Sequence, residues 1–342
     1  MDKAVLETVE TSLNERRDNL RRWLEEAPAE TRTTAVGPAG DEALQQRLEA
    51  IDDSVARAQA GELGLCTVCH DYVDSRRLLV DYTADVCIDH LSAEEASGLE
   101  RELVLAQAVQ KGMLPSDVPE VEGLDLAAFT RPAQIIGGDY FDFLSFEGGE
   151  DGLALGDVAG HGVSASLHMA GIQALARALV PTRRSPAEAV AQIHRLFCHN
   201  SRYTTFVTLF LAAWSPADRV LTYCNAGHNP PFVARVDGAS APRLQWLAPT
   251  GAAVGLVETG VYRDGRVSLK PGDALVLYTD GVVEAANALG EMFGADRLAQ
   301  VVASLGRAPA REIVQAAMHS LEHFAGGQPL ADDVTLVVAR VS

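Results

Sequence analysis

The chain has little positive charge, few aromatic residues and no long apolar run. Its 28 Lys and Arg stand against 47 Asp and Glu, a formal net charge of −19. Neither residues 1–115 nor the remainder carries a basic excess, so the electrostatic footprint that nucleic-acid binding needs is missing. No stretch reaches the roughly 18 consecutive apolar residues expected of a membrane-spanning helix. The first residues, with Asp2, Glu7 and Glu10, lack the apolar pattern of a signal peptide. Cysteine is scarce, and its odd number, five, argues against a secreted disulfide framework. Three of the five crowd into 66–87, as thiols that bind metal in a reducing cytoplasm do.

What is present divides the chain. Val5, Val9, Leu13, Leu20 and Leu24 recur near helical spacing and predict a helix over 3–26. A break at 27–40 with two prolines and two glycines follows. Leu44, Leu48, Ile51 and Val55 then predict a second helix over 41–60, so 1–60 reads as a helical hairpin. Residues 61–91 form a cysteine-bearing module too short for a core of its own. A third helix, 92–113, opens on Ser92 with Glu95 three residues on and stops at Pro115. Its stripe of Leu99, Leu103, Ala106, Gln110 and Met113 suits packing on its own domain or pairing with a second copy. Residues 116–342 are strand-rich, with strands mostly in succession, and predict an α+β domain of antiparallel sheets covered by helices.

Cys66 and Cys69 form one C-x-x-C knuckle; Cys87 and His90 repeat the spacing seventeen residues later. Four soft ligands suit one structural zinc, whose binding energy would fold a segment that burial alone could not. His70 competes with His90 but breaks the paired spacing. The stretch 57–90 resembles the DksA/TraR-type zinc finger, with His90 where that family has a fourth cysteine. That family inserts into an RNA polymerase channel. No acidic tip motif supports such a contact here.

Isolated aspartates recur at strand ends beside glycines: Asp139 after Gly137 and Gly138, Asp157 after Gly156, Asp280 before Gly281, and the doublet Asp332-Asp333. A carboxylate there leaves a rigid strand and faces a cleft, and hard cations such as Mg²⁺ and Mn²⁺ prefer such oxygen ligands. Together with Asp142, the run Asp157 to Gly162, Asn225 to Pro231, Thr279 to Glu284 and Asp332 to Thr335, these motifs closely resemble the PPM-type protein phosphatases, in their bacterial stage II sporulation protein E-like and RsbU-like branch. The resemblance spans about 105–342.

The resemblance implies an α-β-β-α sandwich with two metal ions, Mn²⁺ or Mg²⁺, at one edge. It implies that Asp157 bridges both ions with help from the Val158 carbonyl. Asp139 would serve one ion, and Asp280 and Asp332 the other, with Asp333 the alternative within the doublet. Asp142 would be at most a supporting or third-metal residue. His161 is a candidate acid for the leaving group or a structural residue at a helix start. Arg131 is a candidate phosphate clamp. His228 reads as a hairpin-turn residue, and Cys198 and Cys224 as buried structural thiols. The implied substrate is a phosphoprotein, in this branch often an anti-sigma-factor antagonist. The competing class is a transcription-associated binding protein with an inactive phosphatase-like domain; the complete acidic set argues against it. A nucleotide-binding enzyme would need a phosphate loop that 137–138 does not supply.

Overall fold

The computed structural model describes residues 3–26, 40–73, 83–87, 90, 93–160, 162–200, 205–235 and 243–342. It has two compact units, 1–101 and 102–342. The expected break over 27–39, the Ser92 cap and His161 lie outside the described residues.

In the first unit, α1 (Lys3–Glu26) and α2 (Gly40–Gln59) form the expected pair. Val9 and Leu13 of α1 meet Ile51 and Val55 of α2. The cysteine module joins that cluster through Leu63, Cys66, Val73 and Ala84. A segment too short to bury its own core therefore shares the hairpin's. An ion pair of Arg21 with Asp52, at 3.0 Å, also links the helices, but it is exposed and adds little. Helix α3 (Ala93–Met113) begins in the first unit and ends in the second.

The second unit has two five-stranded antiparallel sheets. One has the order β1-β10-β9-β6-β7, from β1 (Leu124–Arg131), β10 (Val334–Val341), β9 (Ala274–Tyr278), β6 (Phe232–Arg235) and β7 (Arg243–Trp246). The other has the order β2-β3-β4-β5-β8, from β2 (Tyr140–Ser145), β3 (Asp151–Val158), β4 (Val207–Ser215), β5 (Val220–Ala226) and β8 (Gly265–Ser268). Strand periodicity sorts the side chains between layers. In β10, Val337, Ala339 and Val341 enter the core shared by both sheets, with Leu153, Leu155 and Phe210. Leu336 and Val338 point the other way, to α7 (Gly294–Ser304) and α8 (Ala310–Ala325). The second sheet is covered by α4 (Gly162–Leu179) and α5 (Pro186–Asn200). The layers are thus α-β-β-α, as expected. Every residue of β10 is buried, so truncating Leu336 to alanine costs roughly 2–5 kcal/mol.

Strands β2, β6, β7 and β8 do not stand out in the sequence. β6, β7 and β8 are only four residues each, and β2 carries Asp142 buried in its middle. The span 162–182 is long and apolar enough to cross a membrane by length and composition. In this fold it is a covering helix, with Ala165, Met169, Ile172 and Ala176 in the core.

Candidate metal centre

Three strand ends bring the carboxylates together. β3 ends one residue beyond Asp157, β9 runs into the short helix α6 (Asp280–Glu284), and β10 starts directly after Asp332-Asp333. β9 and β10 are neighbours in one sheet, while β3 belongs to the other. The site therefore sits at the edge of the sandwich, with Asp157 facing Asp280 and Asp332 across the sheets.

The electrostatics record this convergence. Burial, then the charges of Asp280, Asp332, Asp333 and Glu284, push the Asp157 carboxyl up to about 7. Burial, Asp332 and Glu284 also raise Asp280. Asp139, only 6% exposed, is held well above the usual carboxylate range by burial and by Asp157. Its Oδ2 accepts bonds from the hydroxyls of Thr335, at 2.6 Å, and Thr279, at 2.9 Å. The Val158 carbonyl lies against Gly138, beside Asp139. Glycine is required at 281, because a Cβ there would fall 2.0 Å from the Asp333 carbonyl oxygen. The donors are all oxygen, and the clustered charge calls for cations; this is the chemistry of Mg²⁺ or Mn²⁺.

The doublet is divided by its hydrogen bonds. Asp333 is spent on the backbone: Oδ1 accepts from the Ala133 N–H at 2.7 Å and Oδ2 from the Gly138 N–H at 2.6 Å. Asp332 accepts from the Asp333 N–H at 2.8 Å, and its charge acts on both Asp157 and Asp280. Asp142 points elsewhere. Its carboxylate pairs with Arg177 of α4 at 2.7 Å and accepts from the Tyr140 hydroxyl at 3.2 Å. Arg131 pairs with Glu322 at 2.9 Å, and its Nε is buried without a hydrogen-bond partner. Arg131 lines a cavity of about 350 Å³ together with Gln110, Leu114, Gly137, Asp139 and Asp333. Cys224 is buried and its thiol is pushed up to about 11 by burial, which suits a structural thiol.

Sequence reasoning missed four groups at this site. Thr279 and Thr335 hold Asp139; each stands inside a quoted motif, next to or two residues from an acid. Glu284 lies one helical turn beyond Asp280. Gln110 accepts from the Gly137 N–H at 3.1 Å and donates to the Gly137 carbonyl at 2.7 Å. Its neighbour Gln107 donates to the Ile135 carbonyl at 2.9 Å. The end of α3 is therefore stitched to the segment that carries Asp139. The stripe expected for pairing is partly spent on this contact. Among the described side chains of α3, the large apolar residues Val104, Leu105 and Val109 are exposed.

In the first unit, Cys66, Cys69, Cys87 and His90 place their ligand atoms within 4.8 Å of one another. The Cys69–Cys87 sulfur distance is 3.8 Å and the Cys66 Sγ to His90 Nδ1 distance 3.9 Å. A tetrahedron with zinc–sulfur bonds of about 2.3 Å has edges of about 3.8 Å. Burial opposes ionisation of Cys66, but backbone N–H groups of Cys69, Cys87 and Val68 outweigh it and bring the thiol down to about 6. His70 is exposed, outside the cluster, and its φ of 60° turns the chain after the first knuckle.

Residues 147–342 match the family model of stage II sporulation protein E. The chain is 30% identical to the phosphoserine phosphatase RsbU of Bacillus subtilis, over 71% of this chain and 70% of that protein. It is 26% identical to protein IcfG of Synechocystis, over 72% of this chain but only 43% of IcfG. Among solved structures, the SiaA PP2C domain of Pseudomonas aeruginosa superposes with a TM-score of 0.65 at 23% identity, covering 73% of this chain and all of that domain. The RsbU and RsbW domains of a Mycobacterium tuberculosis protein superpose with a TM-score of 0.56 at 28% identity, covering 67% of this chain and 63% of theirs. The carboxylate cluster, the paired antiparallel sheets and these matches agree: the chain belongs to the stage II sporulation protein E (SpoIIE) family, and its C-terminal unit is a PP2C-type phosphatase domain.

Proposed function

We propose that this protein is a regulatory, metal-dependent serine/threonine phosphoprotein phosphatase. The observation that carries the reading is the crowding of Asp157, Asp139, Asp280 and Asp332, where burial and then mutual repulsion raise three of them. Asp157 is assigned as the bridging ligand, with the Val158 carbonyl; Asp139 serves one ion, Asp280 and Asp332 the other. Asp333 is assigned the task of fixing the 133–138 loop. When bound, Mn²⁺ or Mg²⁺ supplies an activated water and neutralises phosphoryl charge. The chain's part is to hold the acids rigid: Thr279 and Thr335 orient Asp139, and strand ends fix the others. Arg131 is assigned to substrate phosphate through its unpartnered Nε. RsbU is named a phosphoserine phosphatase, and we assign phosphoserine in a signalling protein, such as an anti-sigma-factor antagonist, as the substrate class.

The first unit is assigned as a DksA/TraR-like zinc finger on a helical hairpin, with one zinc held by Cys66, Cys69, Cys87 and His90. The domain division is proposed as hairpin 1–60, finger 61–91, connecting helix 92–115 and phosphatase 116–342. Homodimerisation through α3 is proposed on the exposed Val104, Leu105 and Val109. The test is release of phosphate from a phosphoserine protein with Mn²⁺, with chelator, and in Asp157→Asn and Asp280→Asn. Chelator-resistant activity surviving in both variants rules the reading out.

A further inference from the structure

The turn at 227–231 carries the chain from β5 in one sheet to β6 in the other. It is built around one imidazole. His228 is 2% exposed and sits in a crossover between sheets, not in the hairpin turn its sequence context suggests. Its backbone N–H donates to the Asn225 side-chain oxygen at 2.8 Å, and the Asn225 amide donates to the Leu247 carbonyl at 3.2 Å. Gly227 has φ of 69°, and a Cβ there would fall 2.8 Å from the Ala253 nitrogen, so the backbone is pressed into place. A backbone held this firmly keeps the ring buried, and a buried polar ring costs stability unless it is hydrogen-bonded.

Both sides of the crossover lead to metal-site acids. His228 Nδ1 lies 2.9 Å from the Thr208 hydroxyl. Thr208 pairs directly with Asp157 across β3 and β4, and its hydroxyl lies 3.4 Å from the Asp157 carbonyl oxygen. On the other side, the Tyr278 hydroxyl donates to the Pro230 carbonyl at 3.1 Å, and Tyr278 ends β9, two residues before Asp280. His228 Nε2 is buried with no bond of ordinary geometry. Burial lowers the ring to about 4, against a smaller opposing effect of the Tyr278 backbone. The imidazole is thus neutral at physiological pH, and the turn that carries it bonds to Thr208 beside Asp157 on one side and, through the Pro230 carbonyl, to Tyr278 near Asp280 on the other.

We propose that His228 is a positioning residue for the metal centre: it locks the crossover to Thr208 beside Asp157 and toward the Tyr278 strand end, and so fixes the separation across which Asp157 and Asp280 face each other. The inference rests on the phosphatase reading of that centre. A group that orients metal ligands from behind is worth roughly 10–100-fold in metal affinity or activity.

The test is calorimetric Mn²⁺ binding to the full chain, with its thiol site left zinc-loaded, for wild type, His228→Phe, His228→Asn, Thr208→Val and the His228→Phe/Thr208→Val double variant. Urea unfolding of the metal-free chains reports stability separately. His228→Phe is expected to weaken Mn²⁺ binding roughly 10–100-fold and lower kcat, with KM for a phosphoserine protein unchanged. His228→Asn, which restores an amide near the Nδ1 position, should recover part of that loss. The double variant should be no worse than the weaker single, because both act on one connection. If His228→Phe fails to fold, Thr208→Val carries the test, with the same direction of shift. A folded His228→Phe, or failing that Thr208→Val, that unfolds earlier in urea but binds Mn²⁺ as wild type overturns the inference alone. A wild-type chain that takes up no Mn²⁺ overturns the phosphatase reading, and this inference with it.

Discussion

Asp157→Asn in the metal-free protein should separate electrostatic strain from packing. Asn keeps the shape of a protonated aspartate and removes the charge. In the folded chain burial and four acidic neighbours lift Asp157 from 3.8 to about 7. Its folded value is therefore raised above its unfolded value. The stabilisation from holding that proton is fully present below about pH 4 and is lost as pH rises through about 7. At 1.36 kcal/mol per pKa unit, the loss between pH 5 and pH 8 is on the order of 2–3 kcal/mol. Urea unfolding of chelator-treated wild type and Asp157→Asn, measured from pH 5 to 8, gives the comparison. Wild type should fall by about that amount relative to the variant as pH rises. Adding Mn²⁺ at pH 8 should restore the wild type and leave the variant little changed, since a ligand stabilises only the state it binds. Parallel stability curves for the two proteins would refute the reasoning, because they would mean that neither burial nor the acidic neighbours raise Asp157.

Other outcomes are expected elsewhere in the molecule. Gly281→Ala should abolish turnover by driving α6 from the Asp333 backbone; Mn²⁺-dependent turnover at the wild-type rate would show that the close approach is dispensable. Gln110→Leu removes both bonds to Gly137, worth about 1–3 kcal/mol together, and should speed amide hydrogen exchange at 135–139 and slow turnover. Purified protein should hold one zinc per chain, and Cys87→Ser should lose it and loosen the hairpin too, because the finger and hairpin share one core; metal analysis and circular dichroism report both. Leu105→Glu, on the exposed face of α3, should lower the oligomeric mass seen by light scattering while leaving monomer stability within about 0.5 kcal/mol.

Much of this protein is written locally. Helices α1, α2 and α3 follow from apolar periodicity, and the helical spans the sequence suggests at 162–180, 186–199, 296–305 and 309–324 match α4, α5, α7 and α8 to within two residues. The β-rich apolar runs 124–130, 153–158, 205–214, 220–224, 274–278 and 334–338 likewise become β1, β3, β4, β5, β9 and β10. The Cys66, Cys69, Cys87 and His90 cluster is legible because paired knuckles are a spacing. The acids are legible because glycine and a strand end frame each of them.

Contacts between distant segments decided the rest. Short edge strands carry too few residues for periodicity to register, and their partners form them. Asp332 and Asp333 are identical in sequence terms. Only the fold shows that Asp333 is spent on the Ala133 and Gly138 N–H groups while Asp332 faces the other acids. Asp142 reads as at most a supporting or third-metal residue, and the fold pairs it with Arg177 of α4. His228 reads as a turn residue because its neighbours are glycine, asparagine and proline. Its burial comes from two sheets stacked over the crossover. A residue's type and spacing fix what it can bind; its distance and burial fix what it does bind, and those are properties of the packed chain.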